Sequence, residues 1–143
     1  MTSIYITKEQ IDETLRSTPT LGKKLLEPLK SLAEKHKLPF NILENQNVND
    51  NIAEIHHETG DLWHCLEGEC VFVHGGEMVD PLFKENADGT KDEKEVRAKS
   101  IINGTEVVLK AGDWLWIPPG QPHVHNQPEG TTRLVVIKIP KKN

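Results

Sequence analysis

Gly112-Asp113-Trp114-Leu115-Trp116-Ile117-Pro118-Pro119-Gly120-Gln121-Pro122-His123-Val124-His125-Asn126 is the most informative stretch of the chain. Its first half is bulky and apolar, the composition that suits a pleated, half-buried strand. Pro118-Pro119-Gly120 then interrupts the run, because proline withholds a ladder donor and glycine permits a tight turn. The chain resumes as a second strand ending in His-x-His. Strand alternation puts His123 and His125 on one face. It likewise gives Trp114 and Trp116 one face and Leu115 and Ile117 the other, without saying which set lines the interior.

A second polar cluster lies upstream: Glu54-Ile55-His56-His57-Glu58-Thr59-Gly60-Asp61, continuing Leu62-Trp63-His64-Cys65-Leu66-Glu67-Gly68-Glu69. Imidazole nitrogen and carboxylate oxygen together suit a borderline divalent cation such as Fe, Mn, Ni, Co or Zn. Glu54 and His56 share one strand face, and Ile55 and His57 share the other. A bulge at the strand end would bring both histidines inward.

Outward from these clusters, the texture from residue 40 on is that of an all-β fold, with short apolar runs between turn residues. Strands are predicted near 40–44, 52–57, 61–67, 70–74, 95–102, 105–109, 113–117, 122–126 and 131–139. Glu67-Gly68 reads as a tight hairpin turn that sets Cys65 opposite Cys70. The charged segment 80–94 reads as a long loop, either a solvated insertion or a lid. Before residue 40 the pattern is helical. Thr7-Lys8-Glu9-Gln10 fits a capping box, with Ile11 and Leu15 behind it. Thr18-Pro19 ends that helix. A second stripe, Leu21, Leu25, Leu29 and Leu32, contains Pro28, so either a helix kinks there or a shorter one starts there.

Composition bounds the function. The chain has 143 residues, 36% hydrophobic and 27% charged, which is enough for one globular core. Its net charge of −5 and lack of a Lys/Arg block speak against nucleic acid or an anionic membrane as partner. No apolar run approaches the roughly 20 residues that span a bilayer, and Met1-Thr2-Ser3-Ile4-Tyr5 lacks the pattern of a secretory leader. The expectation is a soluble, cytoplasmic protein. Two cysteines are too few for a disulfide scaffold.

Taken together, the two clusters resemble the two conserved motifs of the cupin superfamily. The second motif of that family runs Gly, five residues, Pro-x-Gly, two residues, His, three residues, Asn. Gly112, Pro118-Pro119-Gly120 and His123 match it, while Gln127 stands where the Asn is expected and Asn126 precedes it. The first motif runs His-x-His, three or four residues, Glu, six residues, Gly. Here Asp61 takes the place of the Glu before Gly68, and the histidines are adjacent. Four intervening residues before Asp61 select His56, with Glu54 in the first His position. Three intervening residues select His57, with Ile55 in the first His position. The resemblance covers roughly residues 40–139.

The resemblance implies an antiparallel jelly-roll β-barrel over residues 40–143. A helical segment over 1–39 would pack on the barrel or on a partner subunit. It implies one divalent transition metal (Fe, Mn, Ni or Zn) held by His56 or His57 with Asp61 and His123. Glu54 or His125 would then orient groups or exchange protons. The function expected is that of a metal-dependent enzyme acting on a small polar organic molecule, with a non-haem oxygenase ranked first. An isomerase or decarboxylase, and a non-catalytic ligand-binding barrel, are the alternatives. A homodimer is expected from the N-terminal stripe and from family habit. Trp63 and Cys65 should point inward with Asp61, and His64 outward. The cysteines read as small core residues or as a redox pair. Arg97 reads as a carboxylate-binding group or a surface ion pair.

Overall fold

The structure, a computed structural model, describes residues 2–142; Met1 and Asn143 lie outside them. Thr7 caps helix α1 (Lys8–Leu15) as the sequence predicts. Gln10 N donates to Thr7 Oγ1 at 3.1 Å, and Thr7 N donates back to Gln10 Oε1 at 2.9 Å. The stripe that follows divides. Gly22–Leu25 is a strand, β1, and only Leu29–His36 is helical, as α2, with Pro28 just before its first turn. Leucines four apart fitted a helix, but pairing with the next strand supplies the backbone bonds of Gly22–Leu25 instead.

The remaining elements are β2 (Phe40–Val48), β3 (Ala53–His56), β4 (Thr59–Glu67), β5 (Glu69–His74), β6 (Glu77–Met78), β7 (Leu82–Glu85), β8 (Lys91–Ala98), β9 (Ile101–Ile102), β10 (Thr105–Lys110), β11 (Trp114–Ile117) and β12 (His123–Pro140). All the pairings are antiparallel. One wall runs β1-β2-β12-β4-β11 and the other β7-β8-β3-β12-β5-β10. Strand β12 serves both walls. His123 to Asn126 pair with β5, and the stretch beyond pairs with β2 and β4. This is an antiparallel jelly-roll barrel, the fold that the resemblance implies. The sequence split β12 in two because Glu129-Gly130 reads as a turn. In the structure a register irregularity between Gln127 and Thr131 absorbs those residues.

Leu43, Trp63, Phe72, Leu109, Ile117 and Leu134 fill the space between the walls, with both cysteines among them. Leu26, Leu29 and Ile42 form a second cluster outside the barrel, where Ile11 and Leu15 of α1 join them. Buried Arg133 ties that covering to the barrel. It donates to Glu44 Oε1 through Nε and Nη2 at 3.0 and 2.9 Å, and also to the Leu15 and Ser17 carbonyls at the end of α1.

Two further expectations are corrected. Gly68 is not a hairpin turn. At φ +74° it turns the chain from one wall to the other, so β4 and β5 do not pair. Cys65 therefore faces Leu134 and Cys70 faces Leu109 across their ladders. Both thiols are free and buried. Segment 80–94 is not a loop, because β7 and β8 make it a hairpin added to the edge of β3. Its charged residues sit on a solvent-facing edge, where strand pairing leaves no apolar alternation to read. Among the described residues, no helix is long and apolar enough to cross a membrane.

Candidate metal centre

Strands β3, β4 and β12 meet at one end of the barrel, and each brings polar side chains to the meeting point. His123 lies beside Glu54 in the β12–β3 ladder. The Pro-Pro-Gly turn is pinned there too, because Gly120 N donates to the His56 carbonyl at 2.9 Å. Asp61, on β4, is 1% exposed. Asp61 Oδ2 lies 3.5 Å from His56 Nε2 and 3.3 Å from His123 Nε2, and His56 Nε2 lies 3.4 Å from Glu54 Oε2. Ligand atoms of Glu54, His56 and His123 all fall within 4.8 Å of one another.

The outward-facing atoms of the same four side chains are each engaged elsewhere. His56 Nδ1 meets Glu95 Oε2 at 2.6 Å, and His123 Nδ1 meets the Gln121 carbonyl at 3.1 Å. Lys138 Nζ donates to Asp61 Oδ1 at 2.7 Å from the facing position on β12, and Arg97 lies 3.7 Å from Glu54 Oε1. A carbonyl can only accept, so His123 carries its proton on Nδ1 and turns the Nε2 lone pair inward. A hydrogen bond from Nδ1 to the Glu95 carboxylate does the same for neutral His56.

This donor set fits a divalent transition metal. Bonds of roughly 2.0–2.2 Å set neighbouring ligand atoms roughly 3.0–3.5 Å apart. The three separations above lie in that window, too long for good hydrogen bonds. Asp61 Oδ2 is buried and has no hydrogen-bond partner among the described residues. Two imidazoles with carboxylate oxygens are the mixed nitrogen and oxygen donors that Fe, Mn, Ni or Zn accept.

Electrostatics follows from the same contacts. Burial pushes the Asp61 carboxyl up, but the imidazoles of His123 and His56 and the Lys138 ammonium more than offset it. Asp61 is thus held well below the usual carboxylate range. For His56, burial acts downward, and the adjoining Asp61 and Glu95 carboxylates overcome it to leave the ring more basic than usual.

The structure places the other sequence candidates as follows. His57 does not reach the cluster. No bulge forms, and strand alternation leaves it exposed on the opposite face, beside Lys94. His125 shares the inner face of His123 but stands apart from the four-residue cluster, with its ring about 5.2 Å from those of Trp63 and Phe72. Its Nδ1 lies 3.0 Å from Asn45 Nδ2, an amide donor, so the neutral ring carries its proton on Nε2. Burial, with the nearby Lys23 charge adding, pushes the His125 pKa down to about 3. Trp63 and Cys65 point inward. His64 points outward and stacks on Trp114 with ring centroids 3.9 Å apart. Trp114 and Trp116 are 56% and 46% exposed, so Leu115 and Ile117 take the inner face. Burial pushes the Cys70 thiol up to about 12 and raises Cys65 as well, which suppresses thiolate chemistry in both.

Sequence reading missed Glu95, Lys138 and Asn45. Lys138 was open to notice, as a lone cation within Val135-Val136-Ile137-Lys138-Ile139. Beside the cluster lies a cavity of about 180 Å³, whose wall includes Trp63, His125, Asn41 and Lys23.

No protein-family model and no curated protein matches the sequence. Among solved structures, the chain is similar to Drosophila melanogaster CENP-C bound to CAL1, at 13% identity and a TM-score of 0.50, over 81% of this chain and 68% of that one. It is also similar to an oxalate oxidase, at 16% identity and a TM-score of 0.48, over 71% of this chain and 41% of that one. A third similar structure is the Co(II) form of HppE with its substrate, at 17% identity and a TM-score of 0.47, over 70% of this chain and 43% of that one. The chain thus spans about two fifths of the length of the last two. At such identities the likeness concerns fold.

Proposed function

We propose that the chain is a metal-dependent cupin enzyme that holds one divalent transition metal through Glu54, His56, Asp61 and His123. Its substrate would be a small polar organic molecule bound in the adjoining cavity, and the reaction that of a non-haem oxygenase. The observation that carries the metal reading is the paired arrangement of atoms. Every inward atom is left facing the others, while every outward atom is tied down.

When bound, the metal would supply Lewis acidity and open positions for substrate or dioxygen. The chain's own residues do the rest. Glu95 and the Gln121 carbonyl fix the tautomers of His56 and His123. Lys138 and Arg97 hold the two carboxylates in place. His125, kept neutral by burial, offers the Nε2 proton as a hydrogen-bond donor and is a poor base.

The test is the metal content of untagged protein, as purified and after reconstitution with Fe, Mn, Ni or Zn. About one equivalent, lost in His123→Ala, is expected, followed by substrate-dependent oxygen uptake by the Fe form. Failure to hold any of the four ions would turn the reading to a metal-free ligand-binding barrel. A metal-loaded chain that consumes no oxygen with any substrate would turn it to an isomerase or decarboxylase. Homodimerisation is part of the same proposal. It is supported by the exposed Trp114 and Trp116 on the outer wall, and sedimentation velocity tests it.

A further inference from the structure

Charge around the proposed metal site is close to balanced before any ion binds. Glu54 and Asp61 meet the cations of Arg97 and Lys138, Glu95 meets His56, and Lys23 lines the adjoining cavity. Adding a divalent metal to neutral histidines leaves a surplus of positive charge beside the cavity, and a partly buried surplus calls for a counter-charge. Lys23 reaches the cavity from β1, which supplies none of the four proposed ligands. Its neighbour Lys24 faces Glu44 at 3.7 Å, whereas Lys23 has no carboxylate partner among the described residues. Two of the residues that line the cavity also each carry a buried polar atom without a hydrogen-bond partner among the described residues. One is the donor Trp63 Nε1, on a side chain only 4% exposed, and the other is the acceptor Asn41 Oδ1.

From this juxtaposition we infer that the cavity binds a small hydroxycarboxylate. Its negative charge answers the metal and Lys23, a carboxylate oxygen accepts from Trp63 Nε1, and its hydroxyl donates to Asn41 Oδ1. The inference rests on the proposed metal site and goes beyond it in naming the ligand class. Lys23 acts as a specificity-determining residue: it favours anions over neutral molecules of the same shape.

The experiment is calorimetric titration of the zinc-loaded chain with malate, succinate and the neutral succinamide, with zinc content measured on the same samples. Malate should bind most tightly and succinamide at least about a hundredfold more weakly. Lys23→Met should weaken malate about tenfold, the loss of one charge-assisted contact, with zinc unchanged at one equivalent. Lys23 is exposed and touches none of the proposed ligands, so this variant should fold normally. Trp63→Phe, which removes the N–H and keeps most of the ring, should weaken malate by a smaller factor. Equal binding of succinamide and malate, or unchanged malate affinity in Lys23→Met, with zinc still bound, overturns the inference and leaves the metal site standing. A chain that holds none of Fe, Mn, Ni or Zn overturns both, because the charge surplus then disappears.

Discussion

Glu95 shows how much a single side chain outside the ligand set can govern. Its carboxylate accepts a hydrogen bond from His56 Nδ1, which raises the electron density at Nε2 and fixes the ring. Glu95→Gln keeps the shape and removes the charge. Metal affinity should fall about 10- to 100-fold in chelator competition, with the fold intact by circular dichroism. His125 makes a second prediction. Its folded pKa, about 3, lies below the ordinary 6.5, so the unfolded chain takes up a proton that the folded chain refuses. Stability of the metal-free chain should therefore fall as pH drops below about 6.5, by up to about 1.4 kcal/mol per pH unit, until about pH 3. Asp61, with its lowered pKa, adds stability above the unfolded value that is lost only in strong acid. His56, with its raised pKa, stabilises below its unfolded value and loses that contribution as pH rises through the folded one. In urea titrations at successive pH values, His125→Gln should flatten the slope between 6.5 and 3. At this scale motif spacing and alternation pointed to Asp61 and His123 and left His56 and His57 as alternatives. Lys138 could be noticed as a lone cation, but its role and that of Glu95 arise from cross-strand register, which spacing along one strand does not contain.

Gly68 shows the same limit for elements. Its sequence context suggested a hairpin, yet the structure uses it to pass from wall to wall with the Thr131 carbonyl close by. A Cβ there would come within 2.2 Å of that oxygen, at a φ of +74° that side chains disfavour. Gly68→Ala should destabilise the chain by about 2 kcal/mol or more in thermal melts. Gly112→Ala is the control. Its φ is +95°, but nothing lies within 4 Å of the added carbon, so only the smaller backbone penalty of about 1 kcal/mol applies. Strands with apolar alternation, such as β4, β5 and β11, were legible from composition and turn residues. The β7–β8 hairpin was not, because its edge position exposes Leu82 and Phe83 and most of its remaining residues are charged or polar. Nor was β1, whose leucine spacing imitates a helix.

For the molecule as a whole, the buried Arg133–Glu44 pair joins the helical covering to the barrel. Arg133→Ala would leave buried Glu44 with only Lys24, at 3.7 Å, and the Thr20 N–H, at 3.2 Å, as partners and would free the end of α1. A loss of about 3–5 kcal/mol is expected, with earlier proteolysis near residue 18, whereas the double change Arg133→Met with Glu44→Leu should recover most of it. Strand β12 has a wider consequence for how the molecule forms. The ribosome delivers β2, β3, β4 and β5 well before their common neighbour, so each waits with an unsatisfied edge. Long loops must close before those pairings form, which is the topology of slow folders. Glu54, His56 and Asp61 likewise acquire His123 only at that late step. The nascent chain is therefore vulnerable to edge-to-edge association during synthesis, and metal capture belongs to the end of folding.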